Sequence, residues 1–308
     1  MAPKAHKIGV QDDRVQRLLD PEVVSKLRNM ELRARLVVEG FIQGLHRSPY
    51  HGFSVEFAEY RQYMPGDSPR FVDWKVYAKT DRYYMKVFEE ETNLKCVLLL
   101  DKSASMGFAG KGLSKLRWAS LLAAAMGFLM LKQQDATGLV LFDDEIRDYV
   151  PARSVRAQLH EILGRLERVQ PSERTNISVA LHTMAERLKR RGLVVLISDL
   201  FDEPEKILKG LQHFRHRQHE VLVFHVLDDL ERTFDYSQEA RFVDLETHRE
   251  IRTQPWFIKS EYRRKVEEWM HRLAKECRDH FIDYVPMTTS TPFDLALLAY
   301  LNKRSHLG

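Results

Sequence analysis

The stretch that most constrains this chain is Lys95-Cys96-Val97-Leu98-Leu99-Leu100-Asp101-Lys102-Ser103-Ala104-Ser105-Met106. An uninterrupted apolar run ends in a carboxylate and is followed by two hydroxyls at alternate positions. That pattern predicts a buried parallel strand delivering polar groups to a loop at its C-terminal end, where open α/β sheets bind ligands. Asp101, Ser103 and Ser105 offer oxygen only, which favours a hard cation such as Mg²⁺, with Mn²⁺ or Ca²⁺ as alternatives, over zinc or copper. Two of these three candidate ligands are neutral, so a bound ion keeps much of its charge and an incoming carboxylate could complete its shell. Ser103 and Ser105 could instead cap the helix that follows. The tripeptide pattern leaves both readings open.

The design recurs at Gly192-Leu193-Val194-Val195-Leu196-Ile197-Ser198-Asp199. Two buried parallel strands that each end in aspartate converge on one crevice if they are neighbours, which makes Asp199 the second acidic group of the site. Asp143 and Asp144, after the apolar run ending at Phe142, read as turn residues leading into a hairpin partner. Asp202 reads as a cap for a helix after Pro204.

Asp101-x-Ser103-x-Ser105 after a hydrophobic strand resembles the metal-ion-dependent adhesion site of von Willebrand factor A domains. Three upstream stretches, Gly52-Phe53-Ser54-Val55-Glu56-Phe57, Arg61-Gln62-Tyr63-Met64-Pro65-Gly66-Asp67 and Arg70-Phe71-Val72-Asp73-Trp74-Lys75, resemble the bacterial family called domain of unknown function 58. The combined resemblance implies a doubly wound, mostly parallel α/β sheet of Rossmann type with one antiparallel edge hairpin. It implies a third hydroxyl from Thr175 and an Asp199 that acts through water. The partner it implies is a MoxR-type AAA+ ATPase, whose acidic side chain would complete the metal shell. One departure stands out: Arg174 precedes Thr175 where the family commonly has glycine, and its charge would oppose a cation if it pointed inward.

Three regions follow from texture. Residues 1–39 form an N-terminal helical region, with helical periodicity over 12–39 split by Pro21 and Asp20 as the cap of its second helix. Residues 40–91 form a small β-rich segment, with a strand over Tyr83–Glu89. Residues 92–308 alternate strands and helices, giving a sheet of about six strands covered on both faces. In this last region Ser154 is expected to cap a helix to Val169, Phe281–Val285 to form the last strand, and Thr291 to cap the terminal helix. In the middle segment Arg61, Tyr63, Asp67, Arg70, Asp73 and Trp74 mix charge with aromatics. They form either a partner-binding surface or an ion-pair network locking the segment onto the sheet.

Composition narrows the function classes. The 48 basic residues against 44 acidic ones leave a net charge of +4, too mild and too mixed to argue for nucleic acid. Two cysteines make no disulfide framework. With no apolar signal core and no stretch of membrane-spanning length, the expected location is the cytoplasm. His213, His216 and His219 read as the basic end of a helix rather than a metal site. An alternative class is a Mg²⁺-dependent phosphohydrolase using Asp101. Phosphatases on similar sheets carry a second aspartate two residues on, and Ser103 stands there instead. The expected function is therefore a non-enzymatic, Mg²⁺-dependent protein-binding module acting as adaptor or scaffold.

Overall fold

The computed structural model describes residues 21–25, 29–45, 60–62, 77, 83–86, 94–172, 177–236, 238, 240–243 and 250–305. In chain order these form α1 (Pro21–Ser25), α2 (Met30–Leu45), β1 (Tyr60–Gln62), β2 (Tyr84–Lys86), β3 (Lys95–Asp101), α3 (Lys115–Lys132), β4 (Ala136–Phe142) and β5 (Ile146–Arg153). There follow α4 (Arg156–Arg168), α5 (Ile177–Arg187), β6 (Leu193–Ser198), α6 (Pro204–His216), β7 (Glu220–Leu227) and α7 (Asp229–Thr233). The chain closes with β8 (Ala240–Val243), β9 (Glu250–Thr253), α8 (Pro255–Asp279), β10 (Asp283–Thr288) and α9 (Phe293–Ser305).

The main sheet runs β10-β7-β6-β3-β4-β5, and every pairing in it is parallel except β4 with β5. The chain starts in the middle at β3, winds outward through β4 to the antiparallel edge β5, then returns to β6 and winds the other way. The reversal opens a crevice beyond the C-terminal ends of β3 and β6. This is the doubly wound sheet with an antiparallel edge hairpin that the sequence predicts.

Both faces of the sheet are covered, which is why β3 and β6 read as continuous apolar runs. Leu98 and Leu100 pack on one side with α2, α3 and α9, whereas Val97 and Leu99 pack on the other with α5, α6 and α8. The two cysteines are buried on opposite sides of the sheet, Cys96 with the first group and Cys277 with the second. Helix α3 packs on the Leu98 and Leu100 face and is buried along nearly its whole length; its Trp118 stacks on Phe293 with ring centroids 5.3 Å apart.

Several boundaries differ from the sequence reading. Helix α2 continues beyond residue 39 to Leu45, because Phe41 extends the apolar stripe of Val37 and Val38 into the core and outweighs the cost of Gly40 in a helix. Val155, not Ser154, precedes α4, and no side chain caps that helix. The last strand starts at Asp283 because Phe281 takes a left-handed turn (φ 56°) with its ring 77% exposed. Thr291 accepts from the Thr288 N–H instead of capping α9. Glu203 occupies the cap position of α6, and Asp202 accepts from the Glu203 N–H. In the middle segment β1 pairs with β2, placing Arg61 opposite Met85. Among the described residues, no helix is long and apolar enough to cross a membrane.

Candidate metal centre

At the reversal of the sheet, β3 ends in Asp101 and β6 ends in Ser198. The two strands are hydrogen-bonded neighbours, so their C-terminal groups meet. Asp101 is fully buried. Its Oδ1 accepts from the Ser103 N–H at 2.8 Å, closing an Asx turn that starts the loop. Its Oδ2 accepts from the Ser198 hydroxyl at 2.6 Å. Burial and the neighbouring Asp199 push the Asp101 carboxyl up to about 7, against the bonds from Ser198 and Ser103 that favour its charged form.

The turn presents the two hydroxyls together. Ser103 Oγ and Ser105 Oγ are 3.1 Å apart. Two oxygens at right angles around an ion held at about 2.1 Å stand roughly 3.0 Å from each other. The competing capping role falls away, because Ser114 caps α3 by accepting from the Arg117 N–H at 3.2 Å, and the short 3₁₀ turn at Ser105–Gly107 has Ala104 at its cap. A fully buried carboxyl therefore stands beside two hydroxyls 3.1 Å apart. That donor set fits a hard divalent cation.

Asp199 is oriented by different means. Its Oδ2 lies 2.7 Å from Lys115 Nζ, with both side chains fully buried. The same ammonium lies 2.6 Å from Glu231 Oε1 and sits 4.6 Å from the centre of the Phe201 ring. Burial pulls the lysine's pKa down, and the carboxylates of Asp199 and Glu231 outweigh it, leaving the ammonium above its ordinary value. Glu231 is itself held by the capping box of α7, where its Oε2 accepts from the Asp228 N–H. The Asp228 carboxylate accepts from the Gly110 N–H and the Thr289 hydroxyl. Three loops above the sheet are thereby joined.

Beneath Asp199, His225 is fully buried. A carbonyl only accepts, so His225 Nε2 carries the proton given to Asp199 O at 2.9 Å, and Nδ1 accepts from the Tyr284 hydroxyl. Burial lowers the imidazole to about 4, so it is neutral at pH 7.

Four of the residues read from the sequence as metal ligands come together in this crevice: Asp101, Ser103, Ser105 and, paired with Lys115, Asp199. Thr175 lies outside the described residues, as do Arg174 and, from the proposed partner surface, Tyr63, Asp67, Arg70, Asp73 and Trp74. Asp143 is a buried turn residue accepting from the Glu145 N–H and the Arg147 guanidinium. The three α6-end histidines diverge: His213 meets His182 and His219 meets the Leu188 carbonyl, while His216 is exposed.

Lys115, Glu231, Ser198 and His225 escape the sequence reading. One signal pointed to Lys115. A lysine at the first position of a helix, with no acid in that turn, opposes the helix dipole and calls for a local carboxylate.

Uncharacterized proteins of Mycobacterium bovis and Mycobacterium tuberculosis are each 31% identical to this chain over 212 residues, 68% of this chain and 66% of theirs. The chain thus spans just under two thirds of these relatives' length. Among solved structures, the conserved hypothetical protein BatB of Bacteroides thetaiotaomicron aligns at 15% identity and a TM-score of 0.45, over 70% of this chain and 100% of that one. An aerotolerance-related membrane protein of Bacteroides fragilis aligns at 18% identity and a TM-score of 0.45, over 68% and 99%. Residues 59–272 match the family described as protein of unknown function DUF58, and the chain belongs to that family.

Proposed function

We propose that this chain is a non-enzymatic, Mg²⁺-dependent protein-interaction module, an adaptor or scaffold that works with a MoxR-type AAA+ ATPase. The observation that carries the reading is the pairing of the Ser103 and Ser105 hydroxyls at 3.1 Å beside the buried Asp101 carboxyl. Asp101, Ser103 and Ser105 would hold the ion, with Thr175 as the further hydroxyl that the family resemblance adds. When bound, the ion supplies a positive centre for a partner's carboxylate. The chain's own residues orient the hydroxyls and keep Asp101 free of water. The ATPase partner is supported by family membership alone.

An Asp101-centred phosphohydrolase draws less support. Asp101 has no exposed surface and both of its oxygens already accept hydrogen bonds, which suits an anchoring carboxylate better than a group that attacks substrate.

The test is affinity capture of the MoxR-type ATPase by the full chain, with Mg²⁺ and with chelator. Capture that disappears with chelator and in Ser103→Ala is expected. Capture that is equal in all three conditions overturns the metal-dependent reading.

A further inference from the structure

The ammonium of Lys115 stands where the crevice has the greatest need of positive charge. Asp101, Asp199 and Glu231 bring three carboxyl groups to the region beyond β3 and β6, and all three are withdrawn from water: Asp101 and Asp199 are fully buried, and the Glu231 side chain is 14% exposed. Lys115 reaches two of them at 2.7 and 2.6 Å. It is also shielded, with no exposed surface and the Phe201 ring across it. Among the described residues, Asp199 Oδ1 receives only a long bond, 3.4 Å, from the Phe201 N–H. The strong partner of Asp199 is therefore a lysine that the chain itself delivers from the first turn of α3.

A buried carboxylate needs a cation, and either a metal or an ammonium satisfies that need. Here the ammonium has been built in. Its charge also opposes a divalent ion a short distance away, in a medium of low dielectric where such repulsion is strong.

We propose that Lys115 is a tethered cation that occupies Asp199 in place of a metal, so that a divalent ion in this crevice draws on Asp101 and hydroxyls but not on Asp199. Lys115 is thus a determinant of how weakly the site binds metal, and so of how much it relies on a partner's carboxylate. Removing the ammonium frees Asp199 and turns the crevice into a tighter divalent-cation site, since affinity for hard cations rises with ligand charge. The inference rests on the metal reading above.

The experiment is calorimetric titration of Mg²⁺ and Mn²⁺ into the full chain as wild type, Lys115→Met and Lys115→Met/Asp199→Asn. The expected result is that Lys115→Met binds about tenfold or more tightly than wild type, with the gain abolished by adding Asp199→Asn. Equal or weaker binding by Lys115→Met overturns the proposal, as does a gain that survives Asp199→Asn. A wild type that binds no metal overturns the metal reading alone; if Lys115→Met then acquires a site that needs Asp199, the tethered cation stands.

Lys115→Met leaves two buried carboxylates without their partner, so Lys115→Met/Glu231→Gln, which leaves one fewer, is melted in parallel with and without Mg²⁺. A rise in Tm with Mg²⁺ larger than that of wild type supports the proposal. No rise, or a chain that stays unfolded in saturating Mg²⁺, shows that a metal cannot stand in for the ammonium and overturns it.

Discussion

Ser198 donates its hydroxyl proton to Asp101 Oδ2 across the β3–β6 pair at 2.6 Å, and its Oγ in turn accepts from the Leu200 N–H at 2.9 Å. One hydroxyl at the end of one apolar strand thus holds both the carboxylate of the neighbouring strand and the start of its own loop. Ser198→Ala leaves a buried carboxyl oxygen and a buried N–H unpaired together. The expected loss of stability is about 1–3 kcal/mol, read from the shift in urea midpoint at constant slope.

Asp101 gives stability a dependence on pH. Its carboxyl ionises near 3.8 ordinarily and at about 7 in the folded chain. Between these values the native state holds a proton that the unfolded state has released, so stability falls as pH rises through about 4 to 7 and stays reduced above. Asp101→Asn does not titrate. The variant should therefore gain on wild type across this window, in metal-free buffer, and the difference should level off above pH 7. Denaturation at a series of pH values with chelator checks it; a difference independent of pH contradicts it.

His225 acts in the opposite sense. Its imidazole is protonated below 6.5 when unfolded but only below about 4 when folded. Acidification through this window favours the unfolded chain, with a slope of up to about 1.4 kcal/mol per pH unit. His225→Gln loses the bonds to Asp199 and Tyr284 and is less stable at neutral pH. Its deficit relative to wild type should narrow as pH falls from 6.5 towards 4, measured in the same denaturation series.

The sheet and half of the site were legible because burial on both faces imposes an unmistakable pattern. Residues 96–100 and 193–197 are apolar throughout, and a carboxylate close behind such a run has nowhere to go but the loop end. Ser103 and Ser105 could not be assigned from spacing, since a cap and a metal ligand want the same residue types; the presence of Ser114 at the true cap of α3 decides between them. Lys115 and Glu231 were illegible as a pair because they are 116 positions apart and meet only through the loop geometry above the sheet. Ser198 passed for one more strand residue, because the carboxylate that takes its proton lies 97 positions away in the chain. Phe281 misled the strand boundary because an exposed aromatic in a left-handed turn has the same sequence signature as a strand residue.

In the proposed site the Asp101 loop holds a divalent cation through its two serine hydroxyls. Calorimetric titration of Mg²⁺ into the purified chain, wild type beside Ser103→Ala/Ser105→Ala, addresses it most directly. One saturable site is expected in wild type, weakened about tenfold or more when both hydroxyls are removed. Wild-type heats no greater than dilution, or binding left intact without the two hydroxyls, would contradict it.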